Sequence, residues 1–238
     1  MKTLIEDILK ESSFRDNKYF LSLHNGSFEK EDFVETQIQF FFAVIFFSRP
    51  LAALAAKIPS PELRMEVLRN VWEEHGEGDL TKIHGNTFIE FLSRLHGISL
   101  NEINKKALWP EIRIFNTCLI GVCVLDDYKI ASAMVGMIER MFCEISSLIA
   151  GGIVRNGWIK AENMIHYDLH SALDIKHSQD FFDVISNSYT GNNKYYIEQG
   201  LKLGATLFNN LFSELYRFRN RRIYRDFDGP HSPAEGLV

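Results

Sequence analysis

The sequence contains few of the residues that form disulfide frameworks or interrupt helices. Its three cysteines, Cys118, Cys123 and Cys143, are odd in number and match no C-x2-C metal spacing. We therefore predict that they are reduced packing residues. Only six prolines and 15 glycines occur in 238 residues, and the alternation of apolar and polar residues typical of strands is absent. The chain is expected to consist almost entirely of helices.

The sequence also lacks a strong charge of either sign and a clean membrane-spanning run. A dispersed net charge of -5, with no basic stripe, argues against nucleic acid as a partner. The most apolar segment, residues 40–56, is interrupted by Ser48, Arg49 and Pro50, so no membrane span is expected. The N-terminal segment MKTLIEDILKESS carries acidic residues where a signal peptide needs an apolar core. We predict a cytoplasmic protein with a small-molecule or protein partner.

Apolar residues with helical spacing make up most of what is present. Hydrophobic residues account for 46% of the chain and include 19 phenylalanines, enough for a sizeable core. We predict an all-α fold with one helical-bundle domain at residues 1–225 and a flexible C-terminal tail at 226–238. The predicted helices cover residues 1–11, 30–57 with a kink at Pro50, 60–75, 82–95, 110–125, 128–150, 160–188 and 193–222.

One predicted helix carries an unusual number of titratable side chains. In HYDLHSALDIKHSQDFF, His170, Asp174 and His177 are spaced at i, i+4 and i+7, which places them within roughly 60° around the helix axis. Apolar residues lie close to the same side, so the three side chains are predicted to point inward. Buried imidazoles and carboxylates lose hydration, and a divalent cation offsets that loss. Without a metal, the three would be capped, solvated or paired with basic residues.

Other helices offer inward donors as well. Glu74 closes one helix and His84 opens the next across a glycine-rich turn, and Glu77 within that turn is the alternative to Glu74. Glu139 lies in an otherwise apolar helix, where it either faces a specific group or pairs with Arg140. His24 and His166 are expected at the surface.

These donors combine into one candidate metal site. Three carboxylates and three imidazoles from four helical segments suit non-haem iron or manganese with open coordination positions. A ferritin-like site would use Glu-x-x-His pairs, and the sequence contains none. The predicted ligands are Glu74, His84, Glu139, His170, Asp174 and His177.

These motifs resemble the haem-oxygenase-like diiron oxidases. The resemblance covers residues 15–220 and includes the segment from HNGSFEKEDF to LAALAAKI, the WEEHGEGD turn and the ordered set E, H, E, H-x3-D-x2-H. The superfamily includes TenA proteins, a cofactorless pyrroloquinoline-quinone-forming oxidase and para-aminobenzoate-forming oxidases. The resemblance implies a TenA-like helical bundle in which the same six residues bind two iron ions that activate O2 to oxidise a small organic molecule, with manganese as the alternative metal.

The resemblance leaves rival functions and several details open. No acid lies between Gln39 and Ala56, where some members carry a further carboxylate. A thiaminase-type TenA hydrolase needs an activated cysteine, and none of the three has a polar context. A cofactorless oxidase and a non-enzymatic helical interaction protein are two further rival functions. Arg49 is a candidate anchor for a substrate carboxylate, and a homodimer follows from the resemblance and from apolar surface at residues 40–47. Neither the substrate nor the product follows from the sequence.

Overall fold

The computed structural model describes residues 1–225, apart from the side chains of residues 168–174. It contains ten α-helices in that range: α1 Lys2–Glu11, α2 Lys18–Asn25, α3 Lys30–Lys57, α4 Pro61–Glu74, α5 His84–His96, α6 Leu100–Asn104, α7 Pro110–Leu125, α8 Tyr128–Arg155, α9 His166–Ser186 and α10 Asn193–Arg217. Short 3-10 turns lie at Phe14–Asp16, Gly76–Gly78, Leu80–Lys82 and Ala161–Asn163. No strand occurs in the described residues, so the predicted all-α class is confirmed.

One hydrophobic core runs through the bundle, with buried residues from Ile5 to Leu215. Helix α8 packs along α9 and α10, while α3 packs against α4, α5 and α7. By length and composition, α3 is the one described helix that could cross a membrane, but 61% of its most apolar window is buried inside the protein. A core helix meets the same criterion, so the expectation of no membrane stays a prediction.

Glycines allow α8 to pack closely against its neighbours. A Cβ atom at Gly152 would lie 2.5 Å from Cγ of Leu23 in α2, much closer than van der Waals contact. The predicted helix end at Gly151 and Gly152 is therefore wrong, because α8 continues to Arg155. The glycine at position 152 permits a close helix contact rather than a turn.

Other boundaries differ from the prediction at capped helix ends. Helices α2 and α6 were not predicted, and each begins at a polar cap: Asn17 accepts a hydrogen bond from the Tyr19 amide, and Ser99 with Glu102 forms a capping box. Helix α3 runs through Pro50 to Lys57. The predicted tail, residues 226–238, lies outside the described residues, and the division into one domain and a tail stays a prediction.

Candidate metal centre

An apolar cavity of about 50 Å³ lies inside the bundle. A single water molecule needs roughly 10–15 Å³ by the same measure, so the cavity has room for ions and a few water molecules. Its walls are aliphatic and aromatic except for two carboxylates and two imidazoles. The lining comes from α3, α7, α8 and α10 and from the adjoining ends of α4, α5 and α9: Phe40, Ala43, Val44, Phe47, Glu74, His84, Phe115, Ile138, Glu139, Phe142, His166 and Phe208.

Glu74 and His84 meet across the glycine turn, as the sequence predicts. The Nδ1 atom of His84 lies 3.0 Å from Oε2 of Glu74, and both side chains are largely buried. The turn between them has positive φ angles at Gly76 and Gly78, a conformation that glycine adopts without strain. Glu77, the alternative to Glu74, is exposed to solvent. Glu74 is therefore the carboxylate that the turn brings to His84.

Glu139 enters the cavity from the middle of α8. Glu139 is only 4% exposed, and it lines the cavity together with Ile138 and Phe142. The apolar neighbours that flank it in sequence are buried as well. An ionised carboxylate at this position loses hydration, and a bound cation would compensate for the loss.

His166 is the cavity residue that sequence analysis misplaced. It was expected at the surface, but it is fully buried at the start of α9. It lies four residues before His170, so the helical spacing that groups His170, Asp174 and His177 also includes it. That periodicity was the available signal, and the burial of the α9 N-terminus among aromatic side chains was not visible in the sequence. The ring of Phe88 lies 4.7 Å from the His166 ring, centroid to centroid.

Thr87 contacts both histidines of the cavity. Its hydroxyl donates to the His84 carbonyl oxygen at 3.0 Å and lies 3.0 Å from Nδ1 of His166. With its single proton on that carbonyl, Thr87 accepts from Nδ1, and this hydrogen bond assigns the imidazole proton to Nδ1. In the neutral ring, Nε2 then holds the lone pair that a metal needs, and this arrangement is typical of metal-binding histidines.

His177 contacts the last turn of α4. It is buried, and its Nε2 atom lies 2.6 Å from Oε2 of Glu73, a residue that sequence analysis did not select. Neither residue lines the cavity. The other two predicted ligands of α9, His170 and Asp174, fall where side chains are outside the described residues. Among the side chains that are described, no group of three or more His, Cys, Asp or Glu has the geometry of a metal site, so the six-ligand set stays a prediction.

A buried hydrogen-bond network supports the start of α9. The Tyr167 hydroxyl donates to Oε1 of Gln37, and Nε2 of Gln37 donates to the Tyr19 hydroxyl at 2.6 Å. Tyr19 also shares a hydrogen bond of 2.7 Å with Thr36. Burial raises the pKa of both tyrosines above its ordinary value, so both remain neutral phenols. The network ties α2, α3 and α9 together next to His166.

Two other candidates lie away from the cavity. Arg49, the candidate carboxylate anchor, is exposed, with its guanidinium 5.9 Å from the centre of the Phe46 ring. The three cysteines form no disulfide in the part of the chain that the structure describes, and none of them lines the cavity. Burial raises the pKa of the Cys123 thiol to about 12, and it also raises the pKa of Cys118. A raised pKa disfavours the thiolate, which is the nucleophilic form.

Solved structures of low sequence identity share this fold. A TenA homologue from Pseudomonas syringae pv. tomato superposes with a TM-score of 0.73 at 13% identity, covering 91% of this chain and 92% of that one. A CADD-like protein from Nostoc punctiforme gives 0.72 at 12% identity, covering 91% and 96%. A heme oxygenase-like domain from Shewanella denitrificans gives 0.73 at 10% identity, covering 92% and 90%. The protein therefore has the haem-oxygenase-like, TenA-like fold.

The sequence itself gives a more specific assignment. Residues 34–203 match the profile of a family of iron-containing redox enzymes, and the chain belongs to this family. No curated protein matches the sequence at a significant level. The matched region includes every predicted metal ligand and the four polar residues of the cavity.

Proposed function

We propose that the protein is a non-haem diiron oxidase that uses O2 to oxidise a small organic substrate. The observation that carries the proposal is the polar set of the cavity, in which Glu74, Glu139, His84 and His166 line one apolar space. Membership of an iron-containing redox family supports iron as the metal. Manganese accepts the same oxygen and nitrogen donors and is the alternative.

The donor chemistry of the cavity supports a divalent metal. Two carboxylates that share an apolar space repel each other and lose hydration, and cations relieve both effects. With Nδ1 of His166 hydrogen-bonded to Thr87, Nε2 would be the atom that coordinates the metal. On this proposal Glu74, His84, Glu139 and His166 hold metal together with the predicted α9 ligands His170 and Asp174. The predicted ligand His177 would join them by exchanging its contact with Glu73 for the metal.

Side chains around the cavity would position the metal ligands and surround them with apolar groups. Bound ferrous ions would supply electrons to O2, and open coordination positions would admit it. Thr87 fixes the tautomer of His166, while the Tyr167–Gln37 hydrogen bond fixes the helix turn that carries it. The phenylalanine walls surround the donors with apolar side chains, and such surroundings strengthen electrostatic contacts. A substrate that approaches the donors would meet apolar side chains, because the polar lining that the structure describes consists of the four donors alone.

An anaerobic ferrous titration of metal-free protein tests the proposal, with iron counted per chain. About two ions should bind, as in two-metal sites, and consumption of O2 should follow its admission. His84→Ala and Glu139→Ala should each lower the iron content. His96→Ala is a matched control, since His96 is exposed at the opposite end of α5. Absence of binding, or equal loss in the control, would overturn the assignment.

A thiaminase-type hydrolysis is the competing function, because a TenA-like thiaminase from Sulfolobus solfataricus has the same fold, with a TM-score of 0.58 at 12% identity. The raised thiol pKa of Cys123 and the lack of cysteine in the cavity lining favour the oxidase. Incubation of metal-free protein with thiamin distinguishes the two. Thiamin loss that disappears in a cysteine variant and needs no iron would support the hydrolase.

Partners and location are also proposals. We infer a cytoplasmic homodimer that acts on a small molecule and binds neither nucleic acid nor membrane. Light scattering during size-exclusion chromatography measures the oligomeric state, and a mass close to the 27.5 kDa of one chain would contradict the dimer.

A further inference from the structure

An unexplained buried amide lies one helical turn before Glu74. Asn70 is only 1% exposed, yet neither Nδ2 nor Oδ1 of its side chain makes a hydrogen bond to the described part of the protein. Buried polar groups are almost always hydrogen-bonded. A side-chain amide with both polar atoms unsatisfied therefore requires a specific explanation.

The position of Asn70 connects it to the metal centre. It is four residues before Glu74 and three before Glu73, so all three lie on adjoining parts of one α4 face. Glu74 contacts His84 at 3.0 Å, and Glu73 contacts His177 at 2.6 Å. The buried side of α4 consists of Val67, Asn70 and Glu74, and α4 packs against α3 and α9. Asn70 thus lies on the inward side of the helix whose last turn carries both carboxylates.

The chemistry of an amide suits a supporting role there. Asn offers two N–H donors and one carbonyl acceptor and carries no charge. A leucine of the same branched shape would avoid the desolvation penalty entirely. A site that holds carboxylates and water beside a cation, in contrast, needs nearby donors and acceptors to orient them.

We propose that Asn70 is a positioning residue of the metal centre, whose amide hydrogen-bonds a carboxylate or water molecule of the occupied site. This inference rests on the proposed function, since it requires that the site binds metal. On this inference the unsatisfied amide destabilises the metal-free protein, whereas its hydrogen bond stabilises the metal-bound one.

The test compares Asn70→Leu with the unmodified chain in two measurements. The melting temperature of the metal-free protein should rise by about 2–4 °C, since the buried amide is replaced by an apolar group. Ferrous affinity, measured by anaerobic calorimetric titration, should fall by roughly 10–100-fold, as for other residues that orient metal ligands. A purely structural asparagine would not move the two measurements in opposite directions.

Two further variants keep the result interpretable. Asn70→Ala removes the amide without adding bulk and should lose the same affinity. Ser132→Ala removes a buried hydroxyl of α8 that also makes no hydrogen bond to the described residues. Because Ser132 lies seven residues from Glu139, about 10.5 Å along the helix, its loss should leave ferrous affinity within twofold.

The outcomes separate the inference from the function on which it rests. Absence of ferrous binding by the unmodified chain overturns the metal centre itself. Normal binding that neither Asn70 variant weakens overturns the role of Asn70 alone. A loss confined to Asn70→Leu indicates crowding by the leucine and also overturns it, whereas a loss in both variants that Ser132→Ala does not share supports it.

Discussion

Substitution of Gln37 by leucine should destabilise the bundle, because it removes one hydrogen bond from each of two buried tyrosines. Gln37 is fully buried in α3, where its amide accepts from Tyr167 and donates to Tyr19 at 2.6 Å. Leucine is apolar and offers neither group, and it is one carbon shorter because it branches at Cγ rather than at Cδ. The main effect is therefore the loss of the two hydrogen bonds.

The magnitude follows from what each tyrosine retains. Tyr167 loses its hydrogen bond to Gln37, and a buried unsatisfied hydroxyl costs about 1–3 kcal/mol. Tyr19 keeps its bond of 2.7 Å to Thr36, so it loses only about 1 kcal/mol. The free energy of unfolding should fall by about 2–4 kcal/mol in total.

Urea unfolding of the metal-free protein, followed by circular dichroism, measures this loss. With a denaturant slope of about 2–3 kcal/mol per molar urea, the midpoint should move down by about 1 M. The slope should stay constant, because the surface exposed on unfolding does not change. A reference variant is Tyr167→Phe, which leaves the Gln37 carbonyl unsatisfied and should cost about 1–2 kcal/mol.

The double variant Gln37→Leu, Tyr167→Phe decides whether the reasoning holds. In Gln37→Leu the Tyr167 hydroxyl has lost its partner, so removing that hydroxyl should recover about 1–2 kcal/mol of the free energy of unfolding. The double-variant cycle should therefore show a clear coupling energy. Additive losses would refute the reasoning, because they would mean that Gln37 and Tyr167 contribute independently.

Two further predictions concern helix packing and pH. Gly152→Ala should lower the free energy of unfolding by about 1–3 kcal/mol, because its methyl group would overpack against Leu23. In Gly151→Ala the new Cβ meets its nearest neighbour atom at 3.8 Å, so thermal denaturation should show no change or a gain of up to about 1 kcal/mol. Equal effects of the two variants would contradict the packing argument. Because burial raises the pKa of Tyr19 and Tyr167, the unfolded chain releases phenol protons above pH 10 that the folded chain keeps. Stability should be intact below about pH 10 and then fall by up to about 1.4 kcal/mol per pH unit for each tyrosine. Urea titrations between pH 9 and 11.5 measure the slope, which Tyr167→Phe should reduce, and a flat profile would disprove it.

Helix periodicity and caps account for most of what the sequence predicts about the fold. Helix α7 has the predicted bounds at Pro110 and Leu125, since a proline marks its first turn and Asp127, soon after its end, is the N-cap of α8. Helix α8 does not, because glycine has two roles that the sequence alone does not separate. At Gly152 it permits the approach of Leu23, and only the packed partner shows this.

In the site, too, contacts between residues close in sequence were predictable, whereas contacts between separate helices were not. The Glu74–His84 pair was predictable, because a short turn confines both residues. His166 was not selected, although its spacing fits the α9 stripe, because its burial depends on Phe88 and Thr87 of another helix. Glu73 was missed for the same reason, since only the packing of α4 against α9 brings it to His177.

The turn between α4 and α5 also restricts how this protein can vary in length. A Cβ at Gly76 would lie 2.9 Å from the carbonyl carbon of Lys82, and one at Gly78 would lie 2.8 Å from the Trp72 ring. Loops usually tolerate insertions and deletions. This one is held at both glycines by its own flanks, so adding or removing a residue would rotate His84 away from Glu74. We therefore expect the segment 74–84 to keep a fixed length in homologues that retain the contact between Glu74 and His84.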